Sequence, residues 1–115
     1  MVLIDNGLNR VRDLLAADIT KGQAGTNNTT PSETDTGLFA PISATNSVID
    51  IATADRLINV SHLIGSLIAN GQNLKEHEFR VNNNTVSFDR VVTATIPKDN
   101  TIEVTYIRSY FIDRA

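Results

Sequence analysis

Leu8, Val11, Leu14 and Leu15 recur at helical spacing, while Asn9, Arg10, Arg12 and Asp13 fall on the opposite side. This pattern predicts one amphipathic helix over residues 6–18, with Asp5 or Asn6 as its N-cap. Its end is expected near Ala17, because β-branched Ile19 and Thr20 follow and Gly22 comes soon after. Residues 1–5 precede it as a short extended arm. A helix of three turns does not persist alone in water, so it must dock on an apolar surface.

Beyond the helix the period changes. The stretch KGQAGTNNTTPSETDTGL, residues 21–38, holds no hydrophobic residue larger than Ala before Leu38. Such a segment buries too little apolar area to order itself. With Pro41 confining residues 38–42 to an edge or a loop, residues 19–45 read as one long polar loop ending in an edge strand. From residue 46 to 115 the alternation is that of antiparallel strands. Val48, Ile49 and Ile51 mark a strand in residues 46–54, and Ile58, Val60, His62 and Ile64 share one parity in residues 56–64. Asn70-Gly71 carries the strongest hairpin signal. In residues 74–81, Lys75, His77, Phe79 and Val81 face one way; Leu74, Glu76, Glu78 and Arg80 face the other. Residues 85–96 form the longest clean strand, a turn follows at Pro97-Lys98-Asp99-Asn100, and residues 101–112 close the chain. That last strand carries Ile102, Val104, Tyr106, Tyr110 and Ile112 on one face, with Arg108 the exception. One helix followed by hairpins, with no βαβ rhythm, predicts a single mainly β domain over residues 1–115. The expected fold is an antiparallel β-sandwich with one N-terminal amphipathic helix and a long polar loop.

The chain has 115 residues, 41% of them hydrophobic and 5% aromatic, enough for one core but a lean one. That leanness suggests that a partner subunit completes part of the apolar area. A net charge of -3 from mixed signs gives no electrostatic footprint for nucleic acid or an anionic membrane. With no cysteine, neither a disulfide framework nor a thiolate metal site is available. Asp5 and Asn6 interrupt the apolar start, so no signal peptide is expected, and no window is apolar for long enough to span a membrane. Asn27, Asn28, Asn59 and Asn83 each begin an Asn-x-Ser/Thr triplet, read as coincidence in a chain rich in Asn and Thr.

Candidate chemistry is thin. Gly22-Gln23-Ala24-Gly25 invites a phosphate-loop reading, but no Gly-Lys-Ser/Thr follows, and the glycines are assigned a conformational role. Glu76 and Glu78 flank His77, yet adjacent strand residues point to opposite faces, so the three do not converge. The two glutamates read as a solvent-facing pair balanced by Lys75, Arg80 or Arg90. His62, on an apolar parity, reads as a half-buried, hydrogen-bonded histidine. Asp35 is expected to accept from nearby backbone amides and so fix the end of the loop. No serine elbow and no cysteine offers a nucleophile; the chain is expected to be no enzyme and to take no cofactor or metal.

Three places carry a resemblance. GLNRVRDLLAAD near the N-terminus, the loop GQAGTNNTTPSETDTGL from Gly22 to Leu38, and the closing segments Leu74-Lys75-Glu76, Val86-Ser87-Phe88-Asp89-Arg90, Pro97-Lys98 and Thr101-Ile102-Glu103-Val104-Thr105-Tyr106 occur in this order. Together they resemble a family of small structural proteins in the virions of tailed bacteriophages and tailed archaeal viruses. The loop is similar to the family's Gly-x-Gly-Thr-Thr-x-Pro-x-x-x-Asp-Thr-x-Leu segment, with an extra residue between the glycines and a longer Asn-Thr run. Where the family has Glu-x-Gly-Leu-Phe, this chain has Glu76-His77-Glu78-Phe79 and lacks the glycine. The resemblance implies a virion component, made in the host cytoplasm, that serves as a capsid decoration or as a tail or fibre-adaptor part. Its implied partners are other copies of itself, in a symmetric homo-oligomer, and other virion proteins. The assembly-contact candidates are Val2, Leu3 and Ile4 of the arm, Gly22, Gly25, Asp35 and Leu38 of the loop, and Ile107 and Phe111 of the last strand. A carbohydrate-binding β-sandwich module for host-surface recognition is the alternative, with the Asn82, Asn83 and Asn84 turn hydrogen-bonding sugar hydroxyls.

Overall fold

The computed structural model describes residues 1–113. The molecule is a sandwich of two antiparallel sheets, of five and three strands, with one helix at the N-terminus. The helix, α1 (Asp5–Asp18), starts one residue earlier than expected. Ile4 occupies the N-cap position and no side chain caps it, so neither Asp5 nor Asn6 has the predicted capping role. Asp5 instead sits in the first turn, where its charge suits the positive end of the helix dipole.

The largest departure from the sequence reading follows. Residues 21–25 are not loop but strand β1 (Lys21–Gly25), buried in the middle of the first sheet. It pairs with β2 (Ser47–Val48) on one side and with β5 (Asn73–Val81) on the other. The physical reason is steric. Gly22 and Gly25 lie where a Cβ would stand 2.5 Å from His62 Nδ1 and 2.5 Å from both Glu76 Oε2 and the Ala40 carbonyl. Large polar side chains from neighbouring segments occupy the space that glycine leaves free, so low hydrophobicity here marks close packing.

The predicted strand in residues 46–54 divides between the sheets: β2 ends at Val48, and β3 (Asp50–Ala54) belongs to the second sheet beside β4 (Leu57–Ile64). The Asn70-Gly71 turn forms, with Gly71 at φ 83°, but it joins β4 to β5 across the two sheets and makes no hairpin. The long strand expected over residues 85–96 is broken into β6 (Val86–Ser87) and β7 (Val91–Pro97), both paired with β5. At the break, the Asp89 carboxylate accepts the Phe79 N–H at 2.8 Å and replaces a ladder partner. A bulge between Leu74 and Glu76 reverses parity, so Leu74 joins the core instead of sharing a face with Glu76. The last strand is β8 (Val104–Phe111), paired with β4 in an unbroken register.

Two apolar clusters fill the space between the sheets. Ile19, Ile58, Val60, Phe79 and Val81 form one, against which Leu15 and Ala16 of the helix pack. Ala24, Ile64, Leu74, Val104 and Tyr106 form the other. The helix closes the sandwich with Leu8, Leu15 and Ala16, while Val11 and Leu14 from its predicted apolar face stay exposed. No helix among the described residues is long and apolar enough to cross a membrane.

Candidate functional site

Because residues of β5 alternate between faces, Glu76 and His77 end in different environments. Glu76 and Glu78 point outward from the first sheet, but both are fully covered, so they are not the solvent-facing pair predicted. The cover is the polar connection of residues 26–40. The N–H groups of Asn27 and Ala40 donate to Glu76 Oε2 at 3.1 and 2.9 Å, and that of Phe39 donates to Oε1 at 3.0 Å. Arg90 donates to Oε1 at 2.9 Å, reaches the Thr29 carbonyl at 2.8 Å, and lies over the Phe39 ring. Burial pushes the Glu76 carboxyl up, but the Phe39 and Ala40 amides, Arg90 and the Asn27 amide outweigh it and hold the group below its usual value. Arg80 pairs with Glu78 at 3.0 Å, so the expected arginines do balance the glutamates, inside the molecule.

Asp35 does what its sequence context suggested: its carboxylate accepts the Ser32 N–H at 3.0 Å, and it also meets Arg90 at 3.5 Å. Leu38 is half-buried. The far end of the loop is held by the Phe39 and Ala40 amides on Glu76 and by the bridge from Gly25 to Pro41. Gly22 and Gly25, proposed as assembly contacts, are interior and present no surface.

His77 points inward and meets His62 of the other sheet, Nε2 to Nδ1, at 2.8 Å; His62 Nε2 shares a second bond of 2.8 Å with Ser47 Oγ. Both imidazoles are fully buried, where His62 was expected to be half-buried. His77 stacks on Tyr106 with ring centroids 4.0 Å apart. Burial pushes His62 down to about 4, and burial, Arg108 and His62 together push His77 down as well, so both are neutral at pH 7. Nearby, Asp89 joins the sheets: Arg108 donates to it at 2.6 and 2.8 Å, and the Tyr110 hydroxyl donates to it too. Arg108, the exception to the apolar face, is thus an inward cation with a dedicated carboxylate. Lys98 is buried as well, donating to the Ser66 and Asp99 carbonyls and to Asn70 Oδ1 at 2.8–3.1 Å.

The sequence reading missed the histidine pair, although its signal was present. His62 and His77 each occupy an inward parity of a strong strand, which places both between the sheets. What it could not give was the pairing of β4 against β5 across the sandwich.

The buried polar groups contrast with apolar side chains left at the surface. Val2, Leu3, Ile4, Val11 and Leu14 are exposed along the arm and helix, and Ile107 and Phe111 are exposed on the outer face of β8. The candidates Val2, Leu3, Ile4, Ile107 and Phe111 therefore lie at the surface, and Phe111 borders the same shallow cleft as Asp5 and Asn9 at the start of the helix. Of the aromatics considered for a sugar platform, Tyr106 is buried and Tyr110 is tied to Asp89. Asn84 exchanges amide hydrogen bonds of 3.1 Å with Asn46. Among the described residues no group of three or more His, Cys, Asp or Glu side chains is placed to hold a metal ion. Comparison with protein-family models, curated proteins and solved structures gives no match to this chain.

Proposed function

We propose that this chain is a non-enzymatic structural component of a virus particle of the tailed-phage or tailed-archaeal-virus kind, assembling as a symmetric oligomer on the capsid or tail. The observation that carries the reading is the run of uncovered apolar side chains at the N-terminus. Val2 and Ile4 are 78% and 63% exposed, and Val11 and Leu14 continue the run along the helix at 48% and 54%. A monomer gains nothing from that arrangement, whereas a neighbouring subunit would bury it. The sequence resemblance of the helix, loop and closing strands supports the same reading. The carboxylates and arginines that would otherwise suggest a binding site are engaged in holding the chain's own loop and sheets together, while His77 Nδ1 and the Tyr106 hydroxyl lie buried between the sheets without a hydrogen-bond partner.

The test is removal of residues 1–4. Association measured by sedimentation should weaken strongly while the thermal midpoint of the remaining domain moves little; equal loss of both would contradict the proposal. Copy number per particle on a stained gel separates a decoration, present in many copies, from a fibre adaptor, present in few.

A further inference from the structure

The second sheet has an open edge whose chemistry specifies what completes it. β8 lies beside β4 alone, in the order β3-β4-β8. Ile112 N–H donates to the Arg56 carbonyl at 2.9 Å, and the unbroken register carries that phase along the strand. Val104, Tyr106, Arg108 and Tyr110 therefore turn their backbone groups toward β4. Thr105, Ile107, Ser109 and Phe111 turn theirs away, and among the described residues no backbone bond satisfies them.

The other edges are blunted. β2 has two residues, β3 begins with Asp50, and β7 contains Pro97 and borders the bulge in β5. β8 spans eight residues without proline, lysine or a bulge. Its outward side chains, Thr105, Ile107, Ser109 and Phe111, are exposed and uncharged, while the Arg108 charge is turned inward to Asp89. An alternating row of donors and acceptors is matched by another strand, and an antiparallel strand can match itself about a twofold axis.

We infer that β8 pairs antiparallel with β8 of a second copy about a twofold axis at Ile107, joining two three-stranded sheets into one. This register sets Ile107, 70% exposed, against its own copy. It also sets Thr105 against Ser109 and Tyr106 against Arg108, so no like charges face each other. A register shifted to centre on Arg108 would oppose two arginines. The inference deepens the assembly reading above, on which it rests for the occupant, and adds a contact made by the backbone edge of β8 to the one made by the N-terminal arm.

The test is sedimentation of the full chain beside I107P, I107K and a chain lacking residues 1–4. I107P removes an outward N–H without touching the bond ladder to β4, and I107K places a charge on an exposed face, with thermal melts confirming that both fold. The wild type is expected at twice 12.5 kDa or a whole multiple of that pair, and both Ile107 variants at half the wild-type mass. Folded Ile107 variants that keep the wild-type mass would overturn the β8 pairing yet leave assembly standing; a wild type that stays at 12.5 kDa at every concentration would overturn both. Because the chain has no cysteine, I107C offers a second readout: a disulfide-linked dimer on mild oxidation, where L67C at an exposed loop gives none. Equal cross-linking of the two would also overturn it.

Discussion

The two outer faces of this sandwich are finished in different ways. Over the five-stranded sheet, the chain folds its own residues 26–40 across β5 and fastens them to Glu76 with three backbone amides and Arg90. On the three-stranded sheet, Leu63, Ile107 and Phe111 stay exposed among the described residues. A polar segment with almost no apolar content is ordered by a buried carboxylate, and an apolar surface is left open. Low hydrophobicity therefore marks the closed face here, and exposed hydrophobicity marks the face that a partner can finish.

The sharpest way to break the comparison is Glu76→Ala. It leaves Arg90 and the amides of Asn27, Phe39 and Ala40 without their acceptor, and losing one partner of a buried pair costs about 3–5 kcal/mol. Denaturant midpoints should fall accordingly, and limited proteolysis should cut within residues 26–40 while β8 remains intact. Resistance of that segment in the variant would mean that Glu76 is not what closes the face.

Acid separates the interior of the sandwich from its closed face. His62 and His77 have folded values depressed from 6.5, so the unfolded chain binds more protons than the folded one as pH falls. Their stabilising contribution is complete above about pH 6.5 and is lost as pH falls from there toward 4, at up to about 1.4 kcal/mol per pH unit for each histidine. The Glu76 value is also depressed, from 4.5, so its contribution holds down to about pH 4.5 and is lost only below it. Urea midpoints measured from pH 7 to 4 should therefore begin to drop near 6.5, before the carboxylate titrates. A flat profile above pH 5 would contradict the buried neutral pair.

A smaller effect is expected of Gly25→Ala. The new Cβ would meet the Ala40 carbonyl and Glu76 Oε2, and overpacking of this kind costs about 1–3 kcal/mol. Smallest of all, Ile107→Lys should move the melting free energy of the isolated chain by no more than about 0.5 kcal/mol, because the side chain is exposed on the open face. A large loss there would show that the open face is stabilised within the chain.

Much of the fold was legible because alternation fixes which strand residues face inward. Ile58, Val60, His62 and Ile64 lie inside as their parity required, and so do His77 and Phe79. The class and the helix followed from the same periodicities. Residues 21–25 were not legible: β1 is buried through glycines whose space is filled by His62 and Glu76, side chains far away in sequence. Nor were the breaks at Asp89 and near Leu74, where a side-chain acceptor and a bulge alter the ladder. Val11 and Leu14 carried the apolar period of a docking helix, yet the sandwich covers only Leu8, Leu15 and Ala16 of that face. Of the proposed assembly contacts, Ile107 and Phe111 could be placed at the surface from parity, but Gly22 and Gly25 could not be recognised as interior.

Residue-resolved amide hydrogen exchange, run on the whole chain at low and at high concentration, tests both faces at once. The Asn27, Phe39 and Ala40 amides should be protected equally at both concentrations, because Glu76 holds them within one chain. The Thr105, Ile107, Ser109 and Phe111 amides should exchange rapidly when dilute and slow on concentration, while those of Tyr106 and Tyr110 stay protected throughout. Outward β8 amides that exchange identically at all concentrations, or a closed face protected only when concentrated, would contradict the account.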